Sequence, residues 1–173
     1  LAAENSTLGQ KVKLVIDAGH LVPNEVVMEI VENFVKSLAR ADIPVIFDGI
    51  PRNKEQNDSF TALLQKLGRD HTGIYFELSR EEAENRLLKR RLCSKCKAVY
   101  PASYKNAVCE KCSGQLITRA DDNADSIRTR LDIFYKETLP IIEQWSAAKK
   151  MIAVDGVGTI DEVMHELTSK LSL

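Results

Sequence analysis

Cys93-Ser-Lys-Cys96 and Cys109-Glu-Lys-Cys112 contain every cysteine of this 173-residue chain, in two Cys-x-x-Cys turns that twelve residues separate. One such turn brings two thiolates close enough to bind one ion, and two turns complete the tetrahedron that Zn²⁺ prefers. Two other roles for the cysteines fit less well. Two disulfides would suit a secreted chain, and a redox-active Cys-x-x-Cys pair usually occurs singly at the start of a helix. The ligand spacing favours the metal, so it predicts a small zinc-binding insert.

Basic residues lie on both sides of this insert. Before it are Arg86, Lys89, Arg90 and Arg91, and after it are Arg119 and the acidic pair Asp121 and Asp122. A metal-stiffened flap with cations at its hinges indicates that the protein handles a polyphosphate. Each cation alone has a simpler explanation, because basic residues at a helix C-terminus are favoured by the helix dipole. Asp121 and Asp122 also have a simple structural explanation, since they can cap the next helix, which carries Arg128 and Arg130.

The length of the chain suits one domain, and its charge is nearly balanced. The formal net charge is -1 and the isoelectric point is near 6.4. Such a balance gives no reason to expect nucleic-acid or membrane partners, and no apolar run approaches the length of a membrane span. We expect the setting to be a reducing cytoplasm, and we take the protein to be a monomer, although the sequence itself does not determine the oligomeric state.

Apolar strands alternate with amphipathic helices, which predicts an α/β fold: a three-layer parallel sheet flanked by helices. Strands are predicted at 44–48, 74–78 and 151–154. Helix starts are predicted after Pro23, at Asn53 with Gln56, at Ser79 with Glu82, from Asp122, and at Thr159 with Glu162. Pro140 is predicted to bend or break the helix that begins at Asp122.

Ligands of open parallel sheets bind outside the carboxyl ends of the strands. Asp48-Gly-Ile-Pro-Arg52 follows the first predicted strand. Gly49 lets the backbone approach a ligand, Pro51 fixes the turn, and Arg52 can bind a phosphate with two hydrogen bonds. An ordinary strand-to-helix turn with a solvated arginine explains the segment equally well.

The order of these segments along the chain resembles adenylate kinase, in the bacterial type whose lid binds zinc. The matching segments are Gly19–Glu25, Asp48–Gln56, Arg86–Cys93, Arg119–Asp122, Arg128–Leu131 and Asp155–Gly156. The resemblance implies the fold of phosphate-loop nucleoside monophosphate kinases. It also implies reversible phosphoryl transfer from Mg-ATP to AMP, giving two ADP. The resemblance also divides the chain into three regions. Residues 1–43 would be the remainder of the AMP-binding region and the helix that follows it. Residues 44–91 and 122–173 would form the core, and residues 92–121 would form the zinc-binding lid.

Carried over by position, the resemblance also implies a role for individual residues. AMP would be bound by His20, Leu21, Val22, Gly49, Ile50, Pro51, Arg52, Gln56, Arg119 and Arg130. ATP would be bound by Arg86, Arg90, Val99, Tyr100 and Gly158. Arg90, Arg119 and Arg130 would be the catalytic residues, and Asp48 would place Mg²⁺ through water. Cys93, Cys96, Cys109 and Cys112 would hold a structural Zn²⁺.

The sequence departs from the family in several places. No Gly-x-x-x-x-Gly-Lys-Ser/Thr phosphate loop is present. We therefore expect this chain to be a truncated adenylate kinase with negligible activity of its own. Ile50 and Asn53 stand where the family usually has phenylalanine and threonine, and Lys89 replaces a common glycine. Two alternatives stay open: a nucleoside monophosphate kinase with another base preference, such as UMP or CMP, and a non-catalytic zinc-ribbon binding module.

Overall fold

A computed structural model describes residues 9–10, 23–38, 43–119 and 122–172 of the chain. The chain divides into two compact units, Leu1–His71 and Thr72–Leu173. Among the described residues, no helix combines the length and the apolar composition needed to cross a membrane.

The described part of the first unit includes the helices α1 (Asn24–Ser37) and α2 (Lys54–Lys66), which pack on each other. Helix α1 begins directly after Pro23, as predicted, and buries Val31 and Val35. Helix α2 begins where Asn53 Oδ1 accepts a hydrogen bond from the Gln56 backbone N–H at 2.9 Å. Phe60, Leu63 and Leu64 form its buried stripe, at the spacing that an amphipathic helix requires.

The predicted strand at 44–48 is wrong. This segment is irregular, and Ile46 is 94% exposed. Phe47 of this segment packs edge-on against Phe60 of α2, with ring centroids 5.3 Å apart. A strand needs a neighbour to pair its backbone N–H and C=O groups, and the described part of this unit contains no strand that could do so.

The second unit is an α/β core with a small inserted sheet. Its elements are β1 (Gly73–Glu77), α3 (Arg80–Lys89), β2 (Arg91–Cys93), β3 (Val99–Tyr100), β4 (Leu116–Ile117), α4 (Ala124–Ile133), α5 (Leu139–Ala147), β5 (Met151–Asp155) and α6 (Ile160–Leu171). Strands β1 and β5 pair in parallel, with Gly73 opposite Met151 and Glu77 opposite Asp155. Helix α5 packs on both strands and α6 packs on β5. The predicted parallel sheet flanked by helices is confirmed.

Local capping signals set the helix starts of this unit. Ser79 Oγ accepts from the Glu82 backbone N–H at 3.1 Å, and Thr159 with Glu162 forms a complete capping box. The cap of α4 differs from the prediction: Asn123 Oδ1 accepts from the Ser126 N–H at 2.9 Å, so Asp122 is not the cap. Pro140 lies in the first turn of α5, directly after a π-helical turn at Phe134–Thr138. The backbone stays helical from α4 through this turn into α5, so the helix is not broken at Pro140, and a π-helical turn precedes the proline instead.

The inserted sheet carries the cysteines. It is antiparallel, in the order β3-β2-β4, and Leu92 of β2 lies opposite both Val99 and Ile117. Helix α3 runs almost directly into β2, since Arg90 alone separates them. Cys93, Tyr100 and Cys109 form the buried centre of the insert, with Ala98, Tyr104, Cys112 and Leu116 packed around them.

Candidate functional site

The four cysteines form one cluster. All four Sγ atoms lie within 4.8 Å of one another; the distance from Cys93 Sγ to Cys112 Sγ is 3.4 Å, and that from Cys96 to Cys109 is 3.5 Å. A tetrahedral site with Zn–S bonds of about 2.3 Å has sulfur–sulfur edges of roughly 3.8 Å. None of the four cysteines forms a disulfide. The donor set and its dimensions therefore fit one thiophilic ion.

The two Cys-x-x-Cys turns have the same backbone design. Lys97 N–H donates to Cys93 O at 3.1 Å, and Ser113 N–H donates to Cys109 O at 2.8 Å. Both residues have positive φ angles, 61° for Lys97 and 55° for Ser113. Sequence reasoning missed Gly114: a Cβ at this position would lie 2.7 Å from Cys93 Sγ, so the glycine makes room for that sulfur.

Tyr100 contacts this cluster directly. Its hydroxyl lies 3.1 Å from Cys109 Sγ, and the residue is only 3% exposed. This hydrogen bond lowers the pKa of Cys109 to about 6 and raises the pKa of Tyr100. The neighbouring Val99 is 59% exposed. Any nucleotide contact by Tyr100 must therefore use its backbone, while the assignment of this pair to ATP stays a prediction.

A second cluster joins the two chain segments at the base of the insert. Asp122 accepts two hydrogen bonds from Arg90, 2.8 Å from Nε and 2.7 Å from Nη2, and one from Arg130 Nη1 at 3.2 Å. The Asp122 side chain is completely buried. The hydrogen bonds from Arg90, followed by the one from Arg130, hold the pKa of this carboxyl below its usual value. Two of the three predicted catalytic arginines are thus brought together.

Arg86 lies at the carboxyl ends of β1 and β5. Its Nη1 donates to Gly156 O at 2.9 Å, and its Nε donates to Glu82 Oε1 at 2.6 Å. Gly156 N–H in turn donates to Glu77 O, which ends β1. Arg86 is thereby fixed against the turn that leads to Gly158, so two residues assigned to the ATP site share one end of the sheet. Both assignments stay predictions.

In the first unit, the turn from Asp48 to Arg52 is closed by its own arginine. Gly49 has φ 73°, and Arg52 Nε donates to Gly49 O at 2.6 Å. Arg52 N–H donates to Gln56 Oε1 at 2.8 Å. Gln56 Nε2 donates to Asn24 Oδ1 at 2.9 Å, a contact that sequence reasoning missed because it joins residues far apart in the chain. Three residues predicted to bind AMP, Gly49, Arg52 and Gln56, are therefore linked by hydrogen bonds.

Asp48 and Arg119 are both exposed, and the Arg119 carbonyl accepts a hydrogen bond from the Asp122 N–H at 3.0 Å. Ile50 and Pro51, joined by a cis peptide bond, complete the turn beside Gly49. His20, Leu21, Val22 and Asp121 lie outside the described residues.

The parallel α/β core presents Arg86 at the ends of its strands and Arg90 at the base of its insert. The family model described as adenylate kinase matches residues 1–150. Adenylate kinase from Fervidobacterium nodosum is 35% identical over 95% of this chain and 78% of its own length. Those from Geobacter sp. strain M21 and Citrifermentans bemidjiense are 36% and 38% identical, each over 97% of this chain and 80% of its own length. The chain belongs to the adenylate kinase family.

Proposed function

We propose that this protein catalyses reversible phosphoryl transfer from Mg-ATP to AMP, giving two ADP. The observation that supports this most directly is the pair of guanidinium groups, Arg90 and Arg130, held on the buried Asp122 at the base of the insert. Phosphoryl transfer needs positioning and charge neutralisation more than covalent chemistry. Two arginines fixed by one carboxylate present cationic groups in a defined geometry before the phosphates arrive.

The first unit would bind the monophosphate. Gly49 brings the backbone of the turn close to a ligand, and Arg52 lies over it. Gln56 is 8% exposed and holds the turn through Arg52 N–H. We assign the AMP phosphate to Gly49, Ile50, Pro51 and Arg52, and the adenine to Gln56. By the family resemblance, the segment from His20 to Val22 would complete this site, with Arg119 and Arg130 shared with ATP.

The second unit would bind ATP. Arg86 beside Gly156 suits the base end of the nucleotide, together with Gly158 and the backbone of Val99 and Tyr100. Arg90, Arg119 and Arg130 would contact the phosphates being exchanged. Asp48 would place Mg²⁺ through water, and the metal would supply additional neutralisation of phosphate charge.

We further propose that the four-cysteine cluster holds a structural Zn²⁺. The cluster supports this through its all-thiol donor set and its size. Four thiolates fill the coordination of zinc, so such a site has no open position for substrate. The ion would instead hold together an insert whose own core is only a few residues.

ADP formation from ATP and AMP tests the reaction, measured on the protein expressed from its complete gene. Arg130→Ala should lower kcat by about 100-fold or more, as expected for loss of one charge-stabilising donor. The matched control is Arg128→Ala on the same helix, whose side chain is 62% exposed and pairs loosely with Glu84 at 3.6 Å. Thermal unfolding of both variants separates lost folding from lost chemistry. An unchanged kcat in Arg130→Ala would refute the proposed role of the pair.

The choice of base is tested by comparing AMP, GMP, CMP and UMP as acceptors. Adenylate kinase activity requires the highest kcat/KM with AMP. A higher value with UMP or CMP would identify a kinase of another base preference. Absence of transfer to all four acceptors by a folded protein would favour the non-catalytic zinc-ribbon module.

A further inference from the structure

The Tyr100 hydroxyl points at a predicted metal ligand inside the insert. Tyr100 is 3% exposed and Cys109 is 1% exposed, so water has little access to the atoms that meet there. The hydroxyl oxygen lies 3.1 Å from Cys109 Sγ. A buried hydroxyl needs a hydrogen-bond partner, and here the sulfur is that partner.

Strand geometry explains why Tyr100 has this orientation. Successive side chains of a strand point to opposite faces, so Tyr100 faces the cysteines while Val99 faces outward. Tyr100 also lies opposite Arg91 in the β2–β3 ladder. The main chain that positions the hydroxyl is therefore hydrogen-bonded to the strand that leads into Cys93.

The Tyr100 ring is supported by Tyr104. Their centroids are 4.3 Å apart, with an interplanar angle of 38°. Tyr104 is itself held at both ends: its hydroxyl donates to Val108 O at 3.0 Å, and its carbonyl accepts from Arg91 Nη2. The Arg91 guanidinium also lies 6.0 Å from the Tyr104 ring centroid. This support fixes the distance between the Tyr100 hydroxyl and the sulfur.

A cysteine sulfur that binds a metal carries no proton, so the hydrogen of this bond must come from the tyrosine. We infer that Tyr100 is a positioning residue of the metal site: its hydroxyl donates to Cys109 Sγ and thereby strengthens the binding of a thiophilic divalent ion. The inference rests on the metal site proposed above. It extends the site beyond its four ligands, in the way that outer hydrogen bonds orient and tune ligands in metalloproteins.

The test compares Tyr100→Phe with Tyr104→Phe. Each variant removes one hydroxyl and keeps its ring, but only the first loses a hydrogen bond to sulfur. Zn²⁺ affinity is measured by competition with a chromophoric chelator. Tyr100→Phe should bind Zn²⁺ about 10- to 100-fold more weakly, whereas Tyr104→Phe should stay within roughly threefold of the parent protein.

Cobalt provides a readout that a merely structural role would not change. A hydrogen bond stabilises the sulfur lone pairs, so its loss should move the sulfur-to-Co²⁺ charge-transfer band of Tyr100→Phe to lower energy. The band of Tyr104→Phe should match that of the parent. Equal affinities and equal spectra in both variants would overturn the inference, as would equal losses in both.

The outcomes also separate this inference from the proposed function. A parent protein that binds neither Zn²⁺ nor Co²⁺ would refute the metal site and the role of Tyr100 together. Normal metal binding by both the parent and Tyr100→Phe would refute the role of Tyr100 alone. ADP formation is measured independently, so its failure would leave the metal affinities interpretable.

Discussion

Replacing Asp122 with asparagine tests the cluster at the base of the insert. The substitution keeps the shape of the side chain and removes its charge, so the Arg90 and Arg130 guanidiniums lose their shared counter-ion. One amide oxygen can accept some of the hydrogen bonds that the two carboxylate oxygens accept. The amide NH₂ would instead face a guanidinium, which has only donors.

The expected loss follows from burial. Removing one partner of a fully buried ion pair costs about 3–5 kcal/mol, and a hydrogen bond to a charged group contributes about 1.5–3 kcal/mol. The Asp122 side chain is 0% exposed, but the Arg90 and Arg130 side chains are 22% and 42% exposed. Water can therefore solvate part of the guanidinium charge, and we expect Asp122→Asn to lower the free energy of unfolding by about 2–3 kcal/mol.

The pH dependence has a definite sign. The native pKa of Asp122 is lowered by its hydrogen bonds from Arg90 and Arg130, so folding favours the ionised carboxyl. Its contribution is complete above the ordinary value of 3.8 and is lost as the pH falls through the lower native value. The difference in stability between the parent and Asp122→Asn should therefore shrink as the solution is acidified below that range.

Urea unfolding of both proteins, near neutral pH and in acid, measures this difference. The control is Asp132→Asn, which breaks the exposed ion pair between Asp132 and Arg80, 2.6 Å apart. Because Asp132 is 66% exposed, the control should lose no more than about 1 kcal/mol. The reasoning is refuted if Asp122→Asn loses no more than the control, or if its deficit persists unchanged in acid.

Other perturbations have equally direct outcomes. Chelation of the proposed Zn²⁺ should raise amide hydrogen exchange selectively in β2, β3 and β4, since the insert has little other core; unchanged exchange there would argue against a structural ion. Gly49→Ala should lower stability by about 1–2 kcal/mol and weaken AMP binding in calorimetry, because residue 49 has φ 73° and its Cβ would lie 2.5 Å from Arg52 Nη2; unaltered AMP affinity would contradict this. Ile127→Ala, at a fully buried position, should cost about 3 kcal/mol in urea unfolding, whereas Met164→Ala, 47% exposed, should cost well under that; equal losses would contradict the burial argument.

Features that depend on neighbours in sequence could be predicted. The helix starts at Asn53, Ser79 and Thr159 are found as expected, because a side-chain cap is made within one helical turn. The start after Pro23 is also found, without a side-chain cap, at a residue type that suits the beginning of a helix. The strands at Gly73–Glu77 and Met151–Asp155 agree with their apolar, β-branched segments to within one residue. The cysteine cluster also follows from spacing, since each turn brings its own pair of sulfurs together.

Features that depend on distant partners could not be predicted. The segment at 44–48 has the composition of a buried strand, but composition does not show whether a neighbouring strand is present to pair with it. The same holds for Asn24 beside Gln56 and for Tyr100 beside Cys109, where side chains meet only after folding. Asp122 is the clearest case, because its position before a helix suggested a cap and its actual partners are two arginines.

The position of the cysteine cluster within the chain bears on the order of folding. The four-cysteine cluster closes a short loop, from Cys93 to Cys112, whereas pairing of β1 with β5 joins Gly73 to Met151. Loop-closure entropy makes the longer connection about 1 kcal/mol more costly to form. We therefore expect the insert to bind the proposed Zn²⁺ before β1 and β5 pair, so that the parallel sheet forms when the insert is already assembled. Metal supply would then affect how fast this unit reaches its native state as well as how stable that state is.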